Sequence, residues 1–239
     1  TKNKVTQLLD YLATHPNATI RYRASDMKLN AHSDASYLSE KGARSRAGGY
    51  FFLGGIPTKG KPIRLNGAIL VLSSILKCVA ASAAEAKLGA LFLNAQEAKI
   101  MRLTLEEMGH PQPPTPIHCD NTTAVGIVHS SIKRQRSRAM NMRYFWLFCQ
   151  EAQQILSIRH HPGQENLGDY QTKLHNGAHH NRVRPFYQHT KVSPWVLPRA
   201  PQPSVRRGCV ESGNKDPYMR RNPLPWIPTG YRTQAAPAA

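Results

Sequence analysis

Residues 4 to 14, "KVTQLLDYLAT", place Val5, Leu8, Leu9 and Leu12 at helical intervals before "HPN" ends the run, which predicts a short amphipathic helix. From 18 to 83 the spacing changes. "ATIRYRAS", "KLNAHSDASY", "GGYFFLGG" and "GAILVLSS" are short aliphatic and aromatic runs broken by Gly, Pro, Asn and Lys, the pattern of a strand pair or antiparallel meander. The longest helical signal follows, "SAAEAKLGALFLNAQEAKIMRLTLEEMG", with Leu88, Leu91, Phe92, Ala95, Met101, Leu105 and Met108 along one face and Gly109 and Pro111 as stops. Then come a strand, "TPIHCD", a short helix, "NTTAVGIVHSS", a basic loop, "IKRQRSR", and an apolar helix, "AMNMRYFWLFCQEAQ". A last strand, "ILSIRHH", leads through "PGQEN" to a short helix, "LGDYQTKL". Strands first and helix alternating with strand afterwards predict an α/β domain, a mixed sheet with helices packed on it.

Beyond about residue 190 the pattern fails. Prolines at 194, 198, 201, 203, 217, 223, 225 and 228 alternate with arginines, and such a segment cannot bury enough to offset its ordering entropy. It reads as a basic, disordered tail over 190–239, with Trp195 and Trp226 as docking points. Residues 1–25 read as a lead-in helix and 26–189 as the domain.

Composition adds a partner. The formal charge of +18, from 32 Lys and Arg against 14 Asp and Glu, calls for a polyanion, most simply a nucleic acid. The four cysteines form no CxxC pair, which argues against a zinc ribbon and a disulfide framework. No apolar run is long enough to span a membrane, and the first residues, without initiator Met or signal segment, read as a cut from something longer.

In a chain this poor in acid, the positions of the acids are informative. Glu40, Glu97, Glu106, Glu107 and Glu151 fall in solvated contexts. Asp34 lies on the first main strand, Glu85 in the first turn of the long helix, Asp120 at the end of the central strand and Asp169 in the last short helix. Each alone could be a cap. Together they suggest a carboxylate cluster, which repels itself unless a cation neutralises it; oxygen-only ligands suit Mg²⁺ or Mn²⁺. Two such ions about 3.5 to 4 Å apart can activate water and stabilise the leaving oxygen of a phosphodiester.

The order of "SDAS", "RSRAGGYFFLGG", "VAASAAEAKLGAL", "TPIHCDNTTAVGI", "MRYFWL" and "LGDYQTKL" resembles the ribonuclease H region of copia-type retrotransposon reverse transcriptase polyproteins over roughly residues 1 to 190. The resemblance implies a ribonuclease H-like fold, a five-stranded mixed sheet with flanking helices, and an Asp, Glu, Asp, Asp metal set falling on Asp34, Glu85, Asp120 and Asp169. It implies two Mg²⁺ ions, one between Asp34 and Asp169 that activates water and one shared with Glu85 and Asp120 that stabilises the leaving 3′-oxygen. The implied substrate is the RNA strand of an RNA/DNA hybrid. The implied partner is an upstream polymerase region of the same polyprotein, and the implied location is a cytoplasmic retroelement particle or the nucleus. His160 and His161, before "PGQEN", are an auxiliary pair by analogy with ribonucleases H, or else ordinary strand-end histidines. The chain departs from the family at Gly168, where relatives have Ala, at Asn141, where they have an acid, and at Phe145, where they have His. No YxDD-type polymerase motif is present.

Around this set, Asn121 and Thr122 at a helix start can donate to a sugar or phosphate, and Lys133, Arg134, Arg136, Arg138 and Arg143 read as phosphate contacts. Gly55, Gly60 and Lys61 fit GxxxxGK, but Pro62 replaces the Ser or Thr and a strand follows, which excludes a P-loop. His175, His179 and His180 have helical spacing without a neighbouring Cys or acid in sequence, so a zinc site is not expected. Two other readings stay open: a decayed copy that only binds nucleic acid, and an integrase-like or resolvase-like nuclease acting on duplex DNA.

Overall fold

A computed structural model describes residues 2–56, 64–129 and 138–188, with the side chains of 138–141 excepted. The tail from 190, Lys133, Arg134, Arg136, the side chains of Arg138 and Asn141, and most of the loop around Lys61 lie outside the described residues. The elements are α1 (Lys2–Thr14), β1 (Lys28–Glu40), β2 (Arg44–Gly54), β3 (Ala68–Ile75), α2 (Ala83–Glu107), β4 (Thr115–Cys119), α3 (Thr122–Val128), α4 (Arg138–Ala152), β5 (Leu156–His160) and α5 (Gly177–Tyr187). One sheet runs in the order β3-β2-β1-β4-β5, antiparallel from β3 to β1 and parallel from β1 to β5. This five-stranded mixed sheet with flanking helices is the ribonuclease H-like fold that the motifs implied.

β1 sits at the centre and is buried on both faces, because strand side chains alternate and each face has its own cover. Leu29 and Ala31 join Phe51, Ile117 and Ile158 against α2, α3 and α4, through Leu88, Leu91, Val128, Tyr144 and Leu147. The other face holds Tyr50, Phe52, Leu65 and Leu167, with Phe186 and Tyr187 of α5 packed on them. Asn30, His32 and Asp34 alternate with the apolar positions of β1 and are also buried.

Three stretches differ from the pattern reading. "ATIRYRAS" is not a strand. Ile20 and Tyr22 stay exposed, so no buried face fixes a register, and the backbone of Arg23 pairs with the Asn66 side chain instead of a ladder. "LGDYQTKL" forms only a 3₁₀ turn at Asp169–Gln171. α5 was not anticipated; Asn176 starts it, its side chain accepting from the His179 amide at 2.8 Å. α1 forms as expected but buries none of its residues. No helix among the described residues is long and apolar enough to cross a membrane.

Candidate active site

The parallel pairing of β1 with β4 runs from Ala31 opposite Ile117 to Ser33 opposite Cys119. Asp34 and Asp120 each stand one residue beyond that last pair, at one end of the β1–β4 pairing. Asp34 is only 3 % exposed, and Asp120 is partly exposed.

The segment that carries Asp169 is tied onto the same strand. Asn166 donates from Nδ2 to the Ser33 carbonyl at 2.9 Å, the Leu167 amide donates to His32 Nδ1 at 3.2 Å, and Thr172 Oγ1 donates to Asp34 Oδ2 at 3.2 Å. Ser36 Oγ donates to the Thr172 carbonyl at 2.7 Å. The approach is close enough to require glycine: a Cβ on Gly168 would lie 2.9 Å from the Asp34 amide nitrogen, and one on Gly48 would meet the Gly168 carbonyl. Gly168 is therefore a packing requirement on β1 rather than a weakened helix. Asp169 lines one groove together with Asp120, Gly163, Asn166 and Tyr170.

Three of the four predicted acids, Asp34, Asp120 and Asp169, thus gather at one edge. Glu85 does not join them. Ser82 caps α2, its hydroxyl accepting from the Glu85 amide at 3.2 Å, while Glu85 Oε2 turns back to accept from the Ala81 amide at 2.7 Å. That reciprocal pair satisfies two donors at the helix start, close in form to a capping box. Glu85 is buried as part of this cap.

The α2 side chain that reaches the aspartates is Lys87. Its Nζ donates to Asp34 Oδ1 at 2.6 Å and also to Asp120 Oδ1. Lys87 precedes Asn94, Ala98 and Leu105 by 7, 11 and 18 residues, so at about 100° per residue all four share one stripe, and Glu85 sits about 200° away from Lys87. Asn94 fixes the phase of that stripe from the middle of the sheet, donating from Nδ2 to Ser33 Oγ at 2.8 Å and to the Gly48 carbonyl at 2.9 Å.

The charges follow. Burial would lower the Lys87 pKa, but Asp34 and Asp120 outweigh it and hold the ammonium above its ordinary range. Burial raises the Asp34 carboxyl, Lys87 opposes that, and Asp120 and Asp169 add to it. Asp169 is paired with Lys173 at 2.7 Å.

This donor set does not fit the two-ion site that the resemblance implies. An ammonium already bridges one oxygen of Asp34 and one of Asp120, the glutamate expected as the fourth ligand is used at the helix cap, and Asp169 has its own lysine. Among the described residues no three of the four carboxylates have oxygens within 4.8 Å of one another. The group that does meet that distance is Asp169 with His175 and His179, so the histidines do have an acid beside them, one that the sequence spacing did not reveal. Their rings stack at 4.1 Å, with Tyr170 stacked on His175 at 5.0 Å.

The other predicted residues divide. Asn121 is the N-cap of α3, its side chain accepting from the Ala124 amide at 2.7 Å, and Thr122 is exposed beside it. Arg143 donates from Nη2 to Cys78 Sγ at 2.9 Å, just before α2. His160 is exposed at the end of β5. His161 turns inward, its ring 5.2 Å from both His32 and His118. Sequence reading missed Lys87, although the apolar stripe of α2 carried the signal: position 87 lies nearer the sheet-facing stripe than position 85.

No family model matches the chain. It is similar to a retrovirus-related Pol polyprotein from transposon TNT 1-94 of Nicotiana tabacum, 26 % identical over 167 residues that make up 70 % of this chain; the match spans 12 % of that polyprotein's length. Among solved structures it resembles LC11-RNase H1 in complex with RNA/DNA hybrid, with TM-score 0.44, 12 % identity, and coverage of 60 % of this chain and 93 % of that one. It also resembles the N-terminal RNase H domain of rv2228c from Mycobacterium tuberculosis, with TM-score 0.42, 11 % identity, and coverage of 61 % and 91 %. The resemblance to Pol polyproteins drawn from the motifs is borne out by the transposon relative.

Proposed function

We propose that this chain is the ribonuclease H region of a retrotransposon-type Pol polyprotein, a hydrolase framework whose ligand is an RNA/DNA hybrid. In this copy it holds the hybrid without cutting it. The relative from a transposon Pol polyprotein and the +18 charge support the first part. Lys87, bridging Asp34 and Asp120, carries the second. A module of this kind works beside a polymerase region of the same polyprotein, in a retroelement particle or in the nucleus.

In the hydrolase reading, two divalent ions held by carboxylates supply the water activation and leaving-group stabilisation. The residues here do not offer that set, so no step through such ions is derived. What the chain itself offers is a net charge of +18 to attract phosphates and a neutralised acidic edge.

The test measures binding and cleavage on one preparation. A labelled RNA/DNA hybrid and duplex DNA of equal length are titrated with the protein, with Mg²⁺ and with EDTA. Salt-sensitive, preferential binding of intact hybrid in both buffers is the expected result. Cleavage that requires Mg²⁺ and vanishes in Asp120→Asn would put the active hydrolase in place of the binding module. Equal affinity for duplex DNA would refute the hybrid as its ligand and favour the integrase-like reading.

A further inference from the structure

We infer that Lys87 is a built-in cation that keeps the aspartate edge free of divalent ions, and that position 87 rather than 85 is the fourth corner of that edge. The inference rests on reading this edge as the site of the domain's chemistry. The geometry is that of a counter-ion: one ammonium within hydrogen-bonding reach of an oxygen on each of Asp34 and Asp120, with its side chain 17 % exposed. A carboxylate pair beside a third, Asp169, needs positive charge, and a tethered lysine supplies it without recruiting an ion from solution. Its ammonium also occupies the space and the oxygens that a hard dication would use.

Position 87 is fixed there by the helix and not by the lysine alone. Asn94, seven residues on and so within about 20° of the same stripe, is anchored to β1 and β2 at Ser33 and Gly48. A residue of another type at 87 would leave the helix from the same place. Glutamate there would present a fourth carboxylate to the edge, whereas Glu85 is held at the helix start by Ala81. Lys87→Glu therefore replaces a neutralised edge with one that requires a divalent ion.

The experiment is thermal unfolding against MgCl₂ at constant ionic strength for the wild type, Lys87→Glu, Lys87→Gln and Glu85→Gln. Mg²⁺ is the probe because an oxygen-seeking ion does not favour the nearby His175 and His179 pair. The wild type and Glu85→Gln are expected not to respond. Lys87→Glu is expected to be less stable than wild type in EDTA and to gain about 5 to 10 °C at saturating Mg²⁺. The gain should disappear when Asp120→Asn is added.

A wild-type response abolished by Asp120→Asn, or no response in Lys87→Glu, overturns the inference. If Lys87→Glu does not fold even in Mg²⁺, Lys87→Gln decides, since it only removes the ammonium: a Mg²⁺ gain above wild type supports the inference, and none overturns it. Hybrid binding by the wild type is read separately. Loss of hybrid binding with the Mg²⁺ response intact breaks the proposed function alone, and hybrid binding without the response breaks this inference alone.

Discussion

Two buried polar clusters lie two residues apart on the same two strands and resolve the same problem in opposite ways. His32 and His118 face each other across β1 and β4 with ring centroids 5.0 Å apart, and His161 completes a triangle with them. Asp34 follows two residues on in β1, and Asp120 two residues on from His118, just past the end of β4. Like charges cannot be stacked away from water in either place. The histidines shed their protons: burial, then the neighbouring rings, hold His32 well below its usual range and bring His118 to about 3. Aspartates cannot become neutral so cheaply at pH 7, and the fold instead brings them a lysine from α2. One cluster loses its charge, and the other imports the opposite one.

Removing the imported charge breaks the comparison most severely. Lys87→Met should cost about 3 kcal/mol at pH 7 in chemical denaturation, the low end for stranding a buried partner, because Lys87 and Asp120 keep some solvent contact. The sign with pH follows from Asp34. Burial raises its folded pKa and Lys87 opposes that, so removing Lys87 favours protonated Asp34 in the fold still more, and the deficit of Lys87→Met should shrink as pH falls into the carboxylate range. A deficit that does not depend on pH would mean that lost packing, not charge, dominates.

The histidine cluster gives the opposite handle. Groups whose folded pKa is depressed stabilise above their unfolded value and lose that contribution as pH falls through the window below it. For His118 that window opens near 6.5 and extends to about 3. Stability should fall across it by up to about 1.4 kcal/mol per pH unit for each proton. Neither ring nitrogen of His118 has a hydrogen-bond partner among the described residues. His118→Leu should therefore flatten the slope by about one proton at little cost near pH 7, as stability measured at several pH values would show.

Smaller effects sharpen the frame around both clusters. Gly168→Ala should destabilise by about 1 to 3 kcal/mol, since the new methyl would press on the Asp34 backbone, and would do so without altering either pH response. Ser82→Ala should cost about 1 kcal/mol through the α2 cap and leave Lys87 in place. A Ser82→Ala variant that gained a Mg²⁺ response would show that the cap, too, governs the edge.

The sheet and most helices were legible because their signals are local: alternation in "KLNAHSDASY", the long stripe of α2, and Gly109 with φ +86 where it stops. That Asp34, Asp120 and Asp169 share a neighbourhood was legible in part: Asp120 stands just past the end of β4 and Asp169 opens a turn, both marked by local punctuation, while Asp34 lies inside β1 among its alternating positions. Glu85 was placed by the letters "AEA" around it, whereas the side chain's direction depends on helical phase, which a motif string does not encode. The histidine triangle was hidden for a related reason. His32, His118 and His161 come from three separated segments, and only the pairing of β1 with β4 and the turn after β5 bring them together. α5 was missed because the aromatic side chains that pack it on the sheet, Phe186 and Tyr187, lie at its end.

Asn94 gives the acidic edge a sensitivity to chain length. Its two bonds to neighbouring strands act as an angular stop for α2. One residue inserted between 87 and 94 would swing the lysine about 100° around the helix axis while leaving nearly every flanking letter in place. One residue inserted after 94 would leave its bearing unchanged. Tolerance to insertion along this helix should therefore break sharply at a single asparagine, which makes the seven residues before it the stretch over which the domain measures rotation.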